Sequence, residues 1–139
     1  MNNERNQDLL NADAKLLAEE AVKVLLEKLA LDVSMFYVTE YTSVTDYYVN
    51  ATGKSLTHVA SLVDDVIDNF EERGATVNRV EGKKGNTWIL ADYGSLILNV
   101  FDAEGRSFYN FDRLLPVESR CDISNLVAEV DKKFNVKEI

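Results

Sequence analysis

The fold is decided by one nearly continuous apolar stretch, Leu96-Ile97-Leu98-Asn99-Val100-Phe101. A strand with one face exposed to solvent would alternate apolar and polar residues, and this stretch lacks that alternation. Near-continuous apolar runs are typical of strands at the centre of a sheet that is covered on both faces. We therefore expect a layered protein built around a central strand over Ser95 to Asp102.

Two further strand-like runs precede this strand, one over Thr76 to Glu81 and one over Thr87 to Asp92. Gly82 to Asn86 supplies the turn between them, and Tyr93-Gly94 supplies the turn into the central strand. The second half of the chain therefore predicts three consecutive strands.

A well-defined helix is predicted upstream of these strands. Ser55 is a suitable N-cap, and Arg73-Gly74 provides a basic last turn followed by a glycine that tolerates the left-handed conformation. Apolar residues recur between them at helical spacing and form one stripe, Val59, Val63, Val66, Ile67 and Phe70.

Five weaker patterns complete the predicted elements. They are a helix from about Asp8 to Leu31, strands over Val33 to Tyr41 and Asp46 to Ala51, a short helix over Arg106 to Leu115 before Pro116, and a last helix over Asp122 to Phe134. This order predicts an α/β fold of the α+β mixed kind, in which helices pack on a mixed sheet. The last helix could pack on the sheet or stand apart. We expect a flexible tail at residues 1–7, one domain over 8–116 and a helical extension over 117–139.

Composition excludes several classes of protein. The 139 residues fit one domain, and the single cysteine cannot form an internal disulfide framework. The net charge of -9 argues against strong direct binding to nucleic acid and favours a basic protein partner. No targeting segment or membrane-spanning run is visible, so we expect a cytoplasmic protein.

Motifs for catalysis are mostly missing. Thr52-Gly53-Lys54-Ser55 suggests a phosphate loop, but Tyr48 stands where that motif needs its first glycine. His58 is the single histidine, and with one cysteine it cannot supply the ligands of a structural zinc site. It also lies in no nucleophile-elbow motif. No Asp-x-Asp pair stands in a predicted strand to hold the metal ions of a nucleotidyltransferase. We therefore predict no catalytic, cofactor or metal site.

Trp88 is the most informative single residue. Strand alternation places Trp88, Leu90 and Asp92 on one face and Ile89, Ala91 and Tyr93 on the other. If helices cover only one side of the sheet, aromatic residues on the open side are favoured anchors for a partner. From the pattern alone, Trp88 is about as consistent with the core as with such an anchor.

Short motifs along residues 12–116 carry a resemblance to a known family. They are Asp46-Tyr47-Tyr48-Val49 before Thr52-Gly53-Lys54-Ser55, then Glu81-Gly82, Trp88-Ile89-Leu90-Ala91-Asp92-Tyr93-Gly94, Arg106-Ser107-Phe108-Tyr109 and Phe111-Asp112-Arg113-Leu114-Leu115. In order and spacing this set resembles the ribosomal silencing factor family, related to iojap. The chain departs from the family pattern at Ser95, where aspartate is usual, at Asn99, where histidine is usual, and at Leu115, where tryptophan is usual.

The resemblance implies a fold and a function. It implies a five-stranded mixed sheet with nucleotidyltransferase-like topology but without the metal site, and frequent pairing into homodimers. It also implies binding to the large ribosomal subunit through ribosomal protein L-fourteen, which blocks joining of the small subunit and represses translation when nutrients are scarce. The partner-binding residues implied are Trp88, Ile89, Leu90, Asp92, Tyr93 and Tyr109.

Two rival hypotheses remain from the sequence. The first is a degenerate nucleotide-binding or nucleotidyltransferase-like enzyme that binds an anion near Lys54 and Ser55. The second is a protein-interaction module whose basic partner is not ribosomal.

Overall fold

The computed structural model describes residues 7–82 and 84–138, which form a five-stranded sheet with helices packed on it. The strands are β1 (Leu31–Tyr37), β2 (Tyr47–Gly53), β3 (Arg79–Gly82), β4 (Trp88–Asp92) and β5 (Leu96–Asp102). Their spatial order is β1-β2-β5-β4-β3. Strands β2 and β5 are parallel, and the other neighbours are antiparallel. The predicted mixed sheet is confirmed, and the apolar run that includes Asn99 is its central strand.

Four α-helices accompany the sheet, namely α1 (Ala14–Glu27), α2 (Leu56–Glu72), α3 (Ala103–Tyr109) and α4 (Ser124–Glu138). Helices α1 and α2 pack on one face, which we call the helical face. Their apolar stripes meet side chains from β2, β4 and β5 in one core whose largest fully buried members include Phe70, Leu25 and Leu98. Ser55 caps α2 as predicted, because its hydroxyl accepts a hydrogen bond from the His58 amide at 3.0 Å.

Helix α1 is shorter than the sequence predicts at both ends. Its N-cap is Asp13, whose carboxylate accepts from the Leu16 amide at 2.9 Å, whereas Asp8 only closes a tight turn with the Leu10 amide. At the other end the chain leaves the helix because Leu29 adopts a left-handed φ of 67°. The predicted boundaries at Asp8 and Leu31 are therefore wrong, because local capping decides them rather than the apolar spacing.

Several strand and helix boundaries also move. Strand β1 ends at Tyr37 rather than Tyr41, and β3 begins only at Arg79. The single short helix predicted before Pro116 is instead α3 followed by a 3-10 turn over Phe111–Leu114. The break falls at Asn110, which adopts the left-handed conformation with a φ of 53°. Asparagine tolerates this conformation better than most residues, so it can end α3 there.

Helix α4 packs against α1 rather than on the sheet or apart from the domain. Leu126 and Val130 bury their side chains against the rest of the protein. Lys23 on α1 contacts Glu129 on α4 at 2.9 Å, and Lys133 on α4 pairs with Glu27 on α1. Apolar contacts and ion pairs of the described residues therefore dock the predicted extension on the domain.

Residues at the two ends of the chain complete the description. Most of the predicted tail, residues 1–6, lies outside the described residues, and Gln7 uses its carbonyl to accept a hydrogen bond from Arg73 at 2.8 Å. Among the described residues, none of the helices is long and apolar enough to cross a membrane.

Tyr47 makes the stability of this fold sensitive to alkaline pH. Its ring packs 4.9 Å from that of Tyr37, and burial raises its pKa to about 12. An unfolded tyrosine loses its proton near pH 10, so the folded state holds more protons than the unfolded state between pH 10 and about 12. We therefore expect the contribution of Tyr47 to be complete below pH 10 and to be lost as the pH rises toward 12.

This expectation is tested by urea unfolding of the wild type and Tyr47→Phe at several pH values between 8 and 12. The phenylalanine variant should lose less stability than the wild type above about pH 10. Tyr41→Phe, at a tyrosine that is 49% exposed, is the matched control and should follow the wild type. Equal losses of stability at alkaline pH in the wild type and in Tyr47→Phe would contradict the contribution assigned to Tyr47.

Candidate protein-binding site on the second face of the sheet

The face of the sheet opposite α1 and α2, which we call the second face, divides into a covered part and an open part. Residues 103–120, which we call the covering segment, lie over β1, β2 and β5. Here Phe101 and Asn99 are fully buried although they point away from the main core. Over β3 and the adjoining side of β4, the second face remains open, and all four residues of β3 are exposed.

Trp88 lies at the boundary between the covered and open parts. Its ring packs 5.1 Å from that of Phe101, 4.8 Å from that of Tyr109 and 5.9 Å from that of Phe111. The side chain is nevertheless only half-buried, and together with Leu90 it lines an open cleft. Trp88 therefore combines the two roles that the sequence left open, since its ring packs against the covering segment and its side chain also lines the cleft.

A chain of hydrogen bonds holds the Trp88 indole in place. Its Nε1 donates to Oδ1 of Asn99 at 2.9 Å, and Nδ2 of Asn99 donates to Oδ1 of Asn50 at 3.0 Å. Nδ2 of Asn50 in turn donates to Oδ1 of Asp112 at 3.1 Å. Both asparagines are fully buried, so each of these bonds satisfies groups that water cannot reach. The orientation of Trp88 is thus fixed before any partner arrives.

Arg106 fastens the covering segment to the sheet. It forms a two-bond pair with Asp112, with its Nη2 at 2.8 Å from Oδ2 and its Nε at 3.3 Å from Oδ1. Nη1 also donates to Oγ1 of Thr52 at 2.9 Å and to the Asp32 carbonyl at 3.0 Å. A guanidinium presents five donors in a rigid plane, which suits such a junction. The sequence identified Arg106 only as part of a motif and missed this role.

The structure divides the six partner-binding residues implied by the resemblance between the two faces. Trp88, Leu90 and Asp92 lie on the second face, and Tyr109 reaches the same face from α3. Ile89 and Tyr93 point to the helical face, as strand alternation predicts.

Of these two residues, Ile89 belongs to the core and Tyr93 is partly buried against it. Ile89 is 8% exposed and belongs to the main apolar cluster. Tyr93 packs 5.3 Å from the ring of Phe70, and burial raises the pKa of its phenol. Neither side chain is placed to touch a molecule docked on the second face. Both instead pack on the helical face of the sheet.

Charged groups surround the open part of the second face. Arg79 on β3 contacts Glu81 at 2.9 Å and Asp92 at 3.3 Å. The other oxygen of Asp92 accepts a hydrogen bond from the Gly94 amide at 2.8 Å, which closes the turn between β4 and β5. Asp92 is therefore both a surface charge and a turn-forming residue, and the three side chains together carry one net negative charge.

The region that suggested an anion site has internal hydrogen-bond partners. Nδ1 of His58 accepts from the Lys54 amide at 2.9 Å, and its Nε2 lies 3.0 Å from the Lys28 carbonyl. With Nδ1 as the acceptor, the proton resides on Nε2. His58 therefore ties the start of α2 to the end of α1 and occupies an amide that an anion would need. Within residues 7–82 and 84–138, no group of three or more potential metal ligands comes together.

Asn99→Ala is expected to lower the free energy of unfolding by about 2–4 kcal/mol, because it removes the acceptor of the Trp88 indole and opens a cavity in a fully buried place. Urea unfolding measures the loss. Trp88 is the only tryptophan, so a red shift of its emission would report the loosened ring directly. Asn125→Ala, at an exposed asparagine on α4, is the control and should change stability by less than about 0.5 kcal/mol. Wild-type stability for Asn99→Ala would contradict the importance of the hydrogen-bond chain.

Comparison with solved structures supports the fold. A protein of Chromobacterium violaceum superimposes with a TM-score of 0.71 at 23% identity, covering 74% of this chain and 86% of that protein. At this level of identity the likeness concerns the fold alone.

Comparison with known sequences identifies the family. A ribosomal silencing factor of Zymomonas mobilis is 29% identical over 102 residues, which covers 73% of this chain and 77% of that protein. A mouse protein named for mitochondrial assembly of the ribosomal large subunit is 26% identical over 120 residues, covering 84% of this chain and 53% of that longer protein. The family model described as ribosomal silencing factor during starvation matches residues 11–138. The resemblance noted in the motifs is thus confirmed, and the chain belongs to the ribosomal silencing factor family.

Proposed function

We propose that this protein binds the large ribosomal subunit through ribosomal protein L-fourteen and thereby blocks joining of the small subunit, repressing translation when nutrients are scarce. The observation that carries the proposal is the family match over residues 11–138. The name of the mouse relative, which refers to the ribosomal large subunit, agrees with that choice of subunit. The mechanism is occupancy, since two bodies cannot fill one intersubunit surface, and it requires no chemical step.

The open part of the second face is the contact surface in this proposal. Trp88, Leu90, Asp92 and Tyr109 supply an aromatic and apolar centre with a charge beside it. Interfaces concentrate their binding free energy in such anchors, and anchors that are already rigid lose little entropy on binding. The net charge of -9 would also steer the protein toward a basic partner.

The remaining expectations follow from the same proposal. A protein that acts by occupancy is not an enzyme and works in the cytoplasm, where ribosomal subunits meet. The nucleotide-binding alternative gains no support from the described part of the chain, where His58 occupies the Lys54 amide. Pairing into a homodimer would place a second copy in competition with the ribosome if the two partners use overlapping surfaces.

The test is sedimentation of the purified protein with separated ribosomal subunits. The wild type should travel with the large subunit, and Trp88→Ala should bind about thirty- to a thousandfold more weakly, as removal of a central anchor does. Leu90→Asp is a second variant, at a residue that is only partly buried and lies outside the main apolar cluster. Tyr41→Ala, at an exposed aromatic residue outside this face, is the control.

Two results would overturn the proposal. A wild type that sediments with neither subunit would refute the ribosomal partner. Wild-type binding by both Trp88→Ala and Leu90→Asp, with circular dichroism confirming that each is folded, would refute the second face as the contact surface.

A further inference from the structure

The open part of the second face holds a small cleft with an unusual combination of walls. Its volume is about 150 Å³, and Glu81, Gly82, Trp88 and Leu90 line it. Sites for nucleotides or other drug-sized molecules occupy roughly 300–1,000 Å³. The cleft is therefore of a size for one protruding side chain rather than for a free ligand.

The walls specify the chemistry of that side chain. Trp88 and Leu90 offer an indole and an aliphatic surface, which favour a long apolar stem. Glu81 adds a carboxylate that is 57% exposed, and its register partner across the strands is Leu90. Cations bind over indole rings and beside carboxylates.

An arginine of this protein already uses the neighbouring carboxylates. The Arg79 guanidinium contacts both Glu81 and Asp92 on the open face, so these two groups are spaced to receive a guanidinium. Both Arg79 and Glu81 are more than half exposed, and exposed ion pairs contribute little stability. An incoming cation could therefore share or replace the contact between Arg79 and Glu81.

We propose that the cleft receives an arginine side chain of the basic protein that docks on the second face, with its stem against Trp88 and Leu90 and its guanidinium at Glu81. The inference rests on the proposed function to the extent that this face binds a protein, and it names the chemical feature that the partner must present. Arginine fits better than lysine, because a planar guanidinium stacks on an indole while it forms hydrogen bonds to a carboxylate.

The isolated protein allows a direct test, since Trp88 is the only tryptophan and it lines the cleft. The probes are the blocked tripeptide acetyl-Gly-Arg-Gly-amide and its analogue with neutral citrulline, added at constant ionic strength. The arginine tripeptide should cause a saturable change, and the citrulline tripeptide should bind at least about fivefold more weakly. Equal responses to the two tripeptides would overturn the proposal.

Variants of the cleft predict the direction as well as the magnitude of the change in affinity for the arginine tripeptide. Glu81→Gln should weaken binding of the arginine tripeptide about fivefold or more, whereas Glu118→Gln, at an exposed glutamate of the covering segment, should not. Arg79→Gln removes a competing cation and should strengthen binding. Unchanged binding of the arginine tripeptide by Glu81→Gln, or weaker binding by Arg79→Gln, would overturn the proposal.

Sedimentation with the large subunit separates this inference from the proposed function. If the wild type binds the subunit, Glu81→Gln should bind about fivefold more weakly and Glu118→Gln should bind normally. If the wild type does not bind, the ribosomal function fails, while the tripeptide titration still decides whether the cleft takes an arginine.

Discussion

Glu20→Gln is expected to lower the free energy of unfolding by about 3–5 kcal/mol, because it removes the carboxylate charge that lies 2.8 Å from the buried guanidinium of Arg73. In a chain of this length, such a loss lowers the midpoint of thermal unfolding by about 10 °C or more. Differential scanning calorimetry together with urea unfolding at pH 7 measures both quantities.

The expectation follows from where the two side chains lie. Arg73 is at the end of α2 and Glu20 is in the middle of α1, with 5% and 7% of their side chains exposed. Nη2 of Arg73 donates to Oε1 of Glu20 at 2.8 Å, and Nη1 donates to Oδ1 of Asn69 at 2.8 Å. The second oxygen of Glu20 lies 2.9 Å from Nζ of Lys23, which connects the pair to α4 through Glu129. One glutamate therefore joins three helices.

Two comparisons make the Glu20 prediction specific. Glu19→Gln changes the neighbouring, more exposed glutamate and should alter stability by less than about 0.5 kcal/mol. The double variant Glu20→Met with Arg73→Met should be more stable than either single methionine variant, because apolar side chains can replace a buried pair when both charges leave together. Additive losses in the double variant would contradict an interaction between the two residues.

The sequence predicted those features that depend on the order of apolar residues. The stripe from Val59 to Phe70 defines α2, and the unbroken run about Leu98 defines the central strand, because both patterns record directly which side chains leave water. Alternation along β4 also placed Trp88 and Ile89 on opposite faces correctly. Periodicity therefore predicted α2, the central strand and the two faces of β4 correctly.

Features that depend on distant partners could not be predicted in this way. Glu20 is polar and has no local signal for burial, since its partner Arg73 is 53 positions away along the chain. The covering segment likewise depends on bonds between Arg106 or Asp112 and residues more than 50 positions away, such as Asn50. A resemblance in motifs marks such residues as a set but does not say what they touch.

The departures from the family pattern acquire a physical meaning in the structure. Asn99 is fully buried, and its amide both accepts from Trp88 and donates to Asn50, so the change from histidine lies beneath the proposed contact surface. Ser95 contributes its carbonyl, which accepts hydrogen bonds from the amides of Asp46 and Tyr47. Since a backbone carbonyl is common to all residues, that contact alone does not require aspartate or serine.

Gly105→Ala is expected to destabilise the protein by about 3 kcal/mol or more, the upper range for overpacking, because no space exists for a methyl group there. A Cβ at Gly105 would lie 2.2 Å from the Thr87 carbonyl oxygen and 2.9 Å from Oδ1 of Asp102. The first contact is with backbone at the start of β4, which cannot turn aside as a flexible side chain could. The first turn of α3 must therefore move away from the sheet.

This movement would also reach the proposed contact surface, because α3 carries Arg106 and Tyr109, and Tyr109 packs against Trp88. Urea unfolding measures the stability loss, and sedimentation measures large-subunit binding under conditions where the variant is folded. Gly82→Ala is the matched control for the stability measurement, since among the described residues its added methyl group would meet only Cγ1 of Ile89 at an ordinary 3.7 Å. Wild-type stability in Gly105→Ala would show that α3 can shift freely. The close contact between α3 and β4 would then not be what holds the aromatic cluster of Trp88 and Tyr109 in place.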